Sequence, residues 1–218
     1  MQKSSVTRVS VWSRWLRISH WLMGVSTLVL IGSGYLLSIQ TTLSTINQDI
    51  HYLFGALLLP GFLIRLYLLL FGKGTDHISD CEPDAHRLSQ AWQVAKFYLT
   101  LGKAPLPNWF SHNPFWGPIY LGLFFILLLS LISGYALLNE QQFLFGIVMA
   151  DLHHLTYVII AWFSLLHILA VFAHDLGGSG SDISGMINGH RIFQHSEKPS
   201  EPGTSSVDLN DLMKTIKK

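Results

Sequence analysis

Four long apolar runs, nearly free of charge, decide what this chain can fold into: residues 15–39, 50–71, 115–138 and 152–174. Lipid offers no hydrogen-bond partner to a bare backbone N–H or C=O, so a segment that crosses it must satisfy those groups internally. About 20 residues of α-helix do so across a hydrocarbon layer about 30 Å thick. Hydrophobic residues make up 50% of the 218 and charged residues only 12%, against about 25% charged in soluble chains; the mean hydropathy is +0.38. The expected fold is therefore an all-α integral membrane bundle of four transmembrane helices. The first run exceeds the 7–15 residues typical of a signal-peptide core and no small-residue cleavage site follows it, so it reads as a retained helix.

The placement of positive charge orients the bundle. All fourteen Lys and Arg residues lie at or beyond one set of helix ends: Lys3, Arg8, Arg14 and Arg17 before or at the start of the first run, Arg65 and Lys73 closing the second, Arg87, Lys96 and Lys103 in the following loop, and the rest from Arg191 onward. The connectors 40–49 and 139–151 have none. By the positive-inside rule both termini and the 73–112 loop are cytoplasmic, and the two connectors face outward. In that loop Leu88, Trp92, Ala95 and Leu99 recur at helical spacing, which predicts an amphipathic helix on the inner membrane surface. Trp12, Trp15, Trp21, Trp109 and Trp116 suit an aromatic belt at the same level. Residues 1–176 form the membrane domain on this reading. Residues 177–218, rich in Gly, Ser and Pro, form a cytoplasmic and partly flexible tail. The basic residues surround membrane entrances rather than alternating with stacking aromatics, so nothing points to nucleic acid.

Histidines inside apolar helices need a reason, because ionisable groups are costly in lipid. His153 and His167 stand fourteen residues apart in the fourth run. At about 100° per residue both leave one face of the helix, separated by about 21 Å along its axis. The adjacent His154 falls about 140° away from His167 and fails the same test. His20 opens the first helix at its cytoplasmic end, and His51 opens the second at its outer end. Depth then pairs His20 with His167 and His51 with His153. His174 returns nearly to the face of His167 but borders the helix exit, and reads as a solvated helix-end residue.

Two opposed neutral imidazoles can fill both axial positions of a haem iron. An iron so ligated is saturated, suited to outer-sphere electron transfer and poorly suited to oxygen. Cys81 is the only cysteine. It excludes an internal disulfide, a cysteine-ligated iron–sulfur cluster and a C-x-x-C-H attachment, so the haem would be held noncovalently.

Several stretches together resemble the bacterial di-haem cytochrome b561 superfamily. They are Arg17-Ile18-Ser19-His20-Trp21, His51-Tyr52-Leu53-Phe54-Gly55 with Arg65, His112-Asn113-Pro114, the pair His153 and His167, and Met186-Ile187-Asn188-Gly189. The likeness covers about residues 8–193. It is nearest to the b-type cytochrome subunits of nickel–iron hydrogenases and thiosulfate reductases, and more distant from formate dehydrogenase gamma subunits. The resemblance implies two haems b, with His20 and His167 on the cytoplasmic one and His51 and His153 on the outer one, as depth alone also pairs them. It further implies quinone exchange near the cytoplasmic haem, a redox partner subunit such as a hydrogenase on the periplasmic side, and location in the bacterial inner membrane.

Other residues carry two readings each. Gly34 and Gly134 recur in Ser-Gly-Tyr triplets near the outer helix ends; they suit either close porphyrin approach or ordinary helix packing. Arg17 suits a haem propionate or positive-inside anchoring. Asn113 before Pro114 reads as a helix N-cap or, together with His112 and Trp116, as a polar contact for a quinone carbonyl. Arg65 reads as a snorkelling arginine, and Pro60-Gly61 as a bend.

The expected function is electron transfer between a periplasmic-side partner and the membrane quinone pool, in either direction. A standalone enzyme of the same superfamily, passing electrons from superoxide or another small donor to quinone, is the alternative. A cofactor-free membrane anchor or transporter is the third. No catalytic nucleophile, acid–base pair or hydrolase motif stands out.

Overall fold

The computed structural model describes residues 4–39, 44–177 and 181–196. It is a bundle of four long helices closed at one end by a cap of short elements. In chain order these are β1 (Ser4–Ser10), α1 (Arg14–Ser38), α2 (Ser44–Phe71), α3 (Ala85–Leu99), α4 (Trp116–Leu138), β2 (Phe143–Leu144), β3 (Ile147–Val148), α5 (Met149–Gly177), α6 (Asp182–Asn188) and β4 (His190–Ser196). Two 3-10 turns, Gly74–Asp76 and Ile78–Asp80, link α2 to α3. The four apolar runs are α1, α2, α4 and α5, and each is long and apolar enough to cross a membrane. Their ends extend past the hydropathy boundaries: α2 begins at Ser44, and α5 runs from Met149 to Gly177. The first turn of α2, Ser44–Asn47, is largely polar and so adds little to the apolar signal.

Local chemistry sets several of these ends. Ser13 caps α1 by accepting the Leu16 N–H at 3.1 Å, and Asp84 caps α3 by accepting that of Arg87 at 2.7 Å. Helix α2 continues through Pro60, and Gly61 marks its close approach to α1, because a Cβ there would sit 3.0 Å from Met23 Cγ. The chain reverses between β2 and β3 at Phe145 and Gly146, both at positive φ, 51° and 80°, as a tight hairpin requires.

The bundle is two antiparallel hairpins, α1 against α2 and α4 against α5, with α1 and α5 touching only sparsely. A layer of Leu58, Phe62, Leu127 and Ile160 joins them at mid-height. Outward faces carry large apolar side chains such as Leu63, Tyr67, Phe125 and Trp162, a surface suited to lipid rather than water.

The cap differs from the sequence expectation. Residues 181–196, assigned above to a partly flexible tail, form α6 and β4 instead; residues 197–218 lie outside the described residues. Strand β4 pairs antiparallel with β1, from Ser10 opposite His190 to Ser4 opposite Ser196. The ribbon rests on a cluster of Val11, Trp12, Leu16 and Leu68, with Val9, Met186 and Phe193 packed on it. Trp12 and Trp109 are thus core residues rather than members of a belt, as is Trp116, while Trp15 and Trp21 remain exposed. Helix α3 is amphipathic as expected. Leu88, Trp92 and Leu99 lie on its exposed face, and Val94 and Phe97 are buried on the other.

Candidate functional site

The four histidines meet in two levels. His20 on α1 faces His167 on α5 with ring centres 6.4 Å apart, at the capped end. His51 on α2 faces His153 on α5 at 6.2 Å, at the opposite end. The mid-height apolar layer separates the two levels. His154 is exposed and lies against Tyr157, away from both pairs.

The ring separation permits a test of fit. A metal–imidazole bond is about 2 Å, and a five-membered ring of about 1.3–1.4 Å bonds places its centre roughly 1.1 Å from each atom, so trans imidazoles on one metal sit about 6.3 Å apart between centres. Both pairs match. Among the described residues no group of three or more His, Cys, Asp or Glu is arranged to hold a metal ion. A donor set of two imidazoles suits an iron whose equatorial ligands come from a tetrapyrrole. The residues therefore fit haem at both levels.

At the level away from the cap, both histidine Nδ1 atoms are held. His51 Nδ1 lies 2.8 Å from Ser33 Oγ, and His153 Nδ1 lies 3.0 Å from Ser133 Oγ and 3.2 Å from the Ser130 carbonyl. Gly34 and Gly134 sit beside these rings: a Cβ would come 3.5 Å from His51 Cε1 and 3.1 Å from His153 Cε1. What the glycines admit in this structure is the imidazoles themselves.

The capped level is polar on its outer side. His112 is buried, with Nδ1 2.5 Å from Asp80 Oδ2 and Nε2 3.5 Å from Arg65 Nη2. Burial outweighs the neighbouring carboxylate and holds the His112 pKa below its ordinary value. Burial would raise that of Asp80, yet hydrogen bonds from His112 and Ser111 hold it below the usual carboxylate range. The pair is thus a neutral imidazole donating Nδ1–H to an ionised carboxylate. Arg65 does not snorkel: it is buried and donates Nη1–H to the Asp76 carbonyl at 2.8 Å, because the 3-10 turns fold back over the end of α2. Cys81 is buried beside this cluster, and burial pushes its thiol up to about 11.

Asn113 has two faces. Its Oδ1 accepts the Phe115 N–H at 2.9 Å and its carbonyl accepts the Gly117 N–H at 2.8 Å, the bonds of a capping residue ahead of α4. Its Nδ2 is buried with no protein partner among the described residues. Leaving such a donor unsatisfied costs about 1–3 kcal/mol. Trp116 lies 6.4 Å from the His167 ring between centres, but its N–H already donates to Tyr98 Oη at 2.7 Å. Arg17 donates Nη1–H to the Ile187 carbonyl, tying α1 to α6.

His174, read from sequence as a solvated helix-end residue, is buried in an unanticipated network. Tyr98 Oη lies 2.7 Å from its Nε2, Asp182 Oδ2 lies 3.4 Å from its Nδ1, and Arg191 Nη2 lies 2.8 Å from Asp182 Oδ1. Burial pushes the Tyr98 hydroxyl up to about 12, keeping it protonated. Arg191 Nη1 also faces the carbonyls of Trp109, Phe110 and Ser111. Helical phase alone could not show this, because α3 and α6 cover the helix end from distant parts of the chain.

Known proteins resemble the chain over most of its length. The family model for prokaryotic cytochrome b561 matches residues 11–189. The chain is 28% identical to a probable Ni/Fe-hydrogenase B-type cytochrome subunit of Bradyrhizobium diazoefficiens, over 85% of this chain and 87% of that protein. It is 26% identical to a protein of the same description in Azotobacter vinelandii, over 86% and 90%. The probable Ni/Fe-hydrogenase 1 B-type cytochrome subunit of Escherichia coli is 24% identical, over 88% and 94%. No solved structure matches the chain.

Proposed function

The chain belongs to the prokaryotic cytochrome b561 family and is a multi-pass membrane b-type cytochrome of electron transfer; from that premise we propose that it links a redox partner on the outer face of the bacterial inner membrane to the quinone pool through two haems b. The observation that carries this reading is the pair of facing histidines at each of two levels on one bundle. His20 and His167 would hold one haem, and His51 and His153 the other. Bound there, haem supplies an iron that takes up and releases single electrons without an open position for oxygen.

The capped end is cytoplasmic on this reading, since the Lys and Arg of the described residues, from Arg8 to Arg191, fall at that end of the bundle. The cytochrome module extends past the membrane helices on this reading, since the family match runs to residue 189 and β4 pairs with β1. The names of the relatives favour an oxidoreductase of the hydrogenase kind as partner. Quinone would bind at the capped level within reach of lipid, with Asn113 Nδ2–H donating to a quinone carbonyl. The fixed Oδ1 contact to Phe115 orients that amide. Trp116 serves as a wall rather than a donor, because Tyr98 has taken its N–H. Arg17 stands at the same end, where a haem propionate would meet its positive charge.

The test is a pyridine haemochrome assay on the purified protein, followed by quinone-coupled turnover with its copurified partner. Two haems per chain, with turnover and quinone-site inhibitor affinity lowered in Asn113→Ala, are expected. No Soret band would leave a cofactor-free anchor. Activity from a small donor to quinone in a lone chain would favour the standalone enzyme.

A further inference from the structure

The Ser-Gly-Tyr triplets of α1 and α4 repeat an arrangement, not only a sequence. In each hairpin the first helix supplies Ser then Gly, and the second helix supplies the histidine that sits on them: Ser33 and Gly34 under His51, Ser133 and Gly134 under His153. Ser33 and Ser133 are both buried. Each hydroxyl donates backward to its own helix, to Leu30 O at 3.3 Å and Ser130 O at 3.1 Å. The oxygen lone pair is then left to accept a hydrogen from imidazole Nδ1. At His153 the Ser130 carbonyl, 3.2 Å from Nδ1, can only accept, so Nδ1 must carry the proton there. Asn47 donates to the Ser33 carbonyl at 2.9 Å and fixes the register of α2 on α1 one turn before His51. With Nδ1 protonated on both rings, each Nε2 presents its lone pair.

The capped level lacks this device. His20 Nδ1 is buried with no partner among the described residues, and His167 Nδ1 has only Tyr120 Oη at 3.5 Å. Ser19, adjacent to His20, makes the same backward bond to the Leu16 carbonyl, but its oxygen meets neither ring of this level.

We propose that Ser33 and Ser133 are positioning residues that fix the tautomer of both outer haem ligands and set the outer haem at a lower reduction potential than it would otherwise have, biasing electrons toward the inner haem. This rests on the di-haem reading above. A hydrogen bond from Nδ1–H makes the imidazole a stronger electron donor, and a stronger donor stabilises ferric iron over ferrous. Two such bonds act on the outer level and none of comparable length on the inner. The contrast therefore tilts the electron path from the outer level to the capped end, and removing either hydroxyl reduces the tilt.

The experiment is a redox titration of the purified holoprotein followed at the reduced α-band, with the outer haem identified as the component missing from His51→Ala. Ser33→Ala and Ser133→Ala are each expected to raise the outer midpoint potential while leaving the inner one in place, with the double variant moving furthest. The outer haem should also be bound about 10–100-fold more weakly, the usual effect of losing such a supporting bond. Ser33→Thr and Ser133→Thr keep the oxygen and should keep the wild-type potential. An outer potential unmoved in both alanine variants overturns the proposal, as does an equal shift of both haems. If an alanine variant loses the outer haem outright, the threonine variant must regain it, and failure to do so also overturns the proposal. If His51→Ala removes no haem from an otherwise unchanged protein, the di-haem reading itself is what fails.

Discussion

His51 and His153 reach the same point from different hairpins, with ring centres 6.2 Å apart. Neither helix could hold this geometry alone, since the facing ring comes across from the other hairpin. Replacement of a single ligand therefore tests the pairing directly.

His51→Ala and His153→Ala are expected to lower the haem count from about two to about one per chain and to remove the same spectral component. His20→Ala and His167→Ala should remove the other component. His154→Ala, at an exposed ring, should leave both. Pyridine haemochrome with reduced-minus-oxidised spectra checks this, and loss of a haem in His154→Ala would falsify the phase argument.

The two glycines should respond unequally. A methyl at Gly134 meets the His153 ring at 3.1 Å, and one at Gly34 meets His51 at an ordinary 3.5 Å. Gly134→Ala is expected to displace His153 and deplete the outer haem, whereas Gly34→Ala retains it. Comparing the two occupancies against the wild type decides the matter; equal retention would show that the His153 ring can move without consequence.

Arg191 binds three carbonyls and a carboxylate with one planar group. Arg191→Lys keeps the charge and loses the fork, leaving buried carbonyls unpaired at a cost of about 2–4 kcal/mol. The melting temperature in detergent should fall while the haem spectrum stays unchanged. An unaltered melting temperature would mean that the cap contributes little to stability.

Acid should loosen the capped end. His112 and Asp80 both have folded pKa values below their ordinary 6.5 and 3.8, so in each case the unfolded chain binds more protons and stability rises with pH. The contribution of His112 is complete above 6.5 and declines as pH falls from there toward its folded value; that of Asp80 is lost further down. Between pH 7.5 and 5 the melting temperature of the wild type should fall more steeply than that of His112→Gln. Parallel slopes would show that His112 does not titrate against folding.

The bundle and the shared face of His153 and His167 were legible because both depend on local period. Apolar runs mark spans, and a fourteen-residue interval marks one helix face whatever surrounds it. The Ser-Gly-Tyr triplets were visible too, but which ring each would receive depends on how two helices lie together. The cap was harder to read. Strand β1 has only Val6 and Val9 as apolar residues, three apart and so out of step with a period of two, and its partner β4 lies about 180 residues away along the chain, beyond any local pattern. Arg191 reads from sequence as an ordinary tail charge for the same reason. Arg65 departs from the snorkelling expectation because the 3-10 turns supply a carbonyl where open water would otherwise meet the helix end.

The layer of Leu58, Phe62, Leu127 and Ile160 between the two histidine levels has a consequence for charge as well as for packing. It presents no group that could pass a proton along, while an electron can tunnel through packed hydrocarbon. On the proposed di-haem reading an electron crossing there would travel unaccompanied, and compensation would fall to the two ends. The middle of the bundle would then behave as a thin dielectric, and each electron crossing it would do electrical work along or against the membrane field.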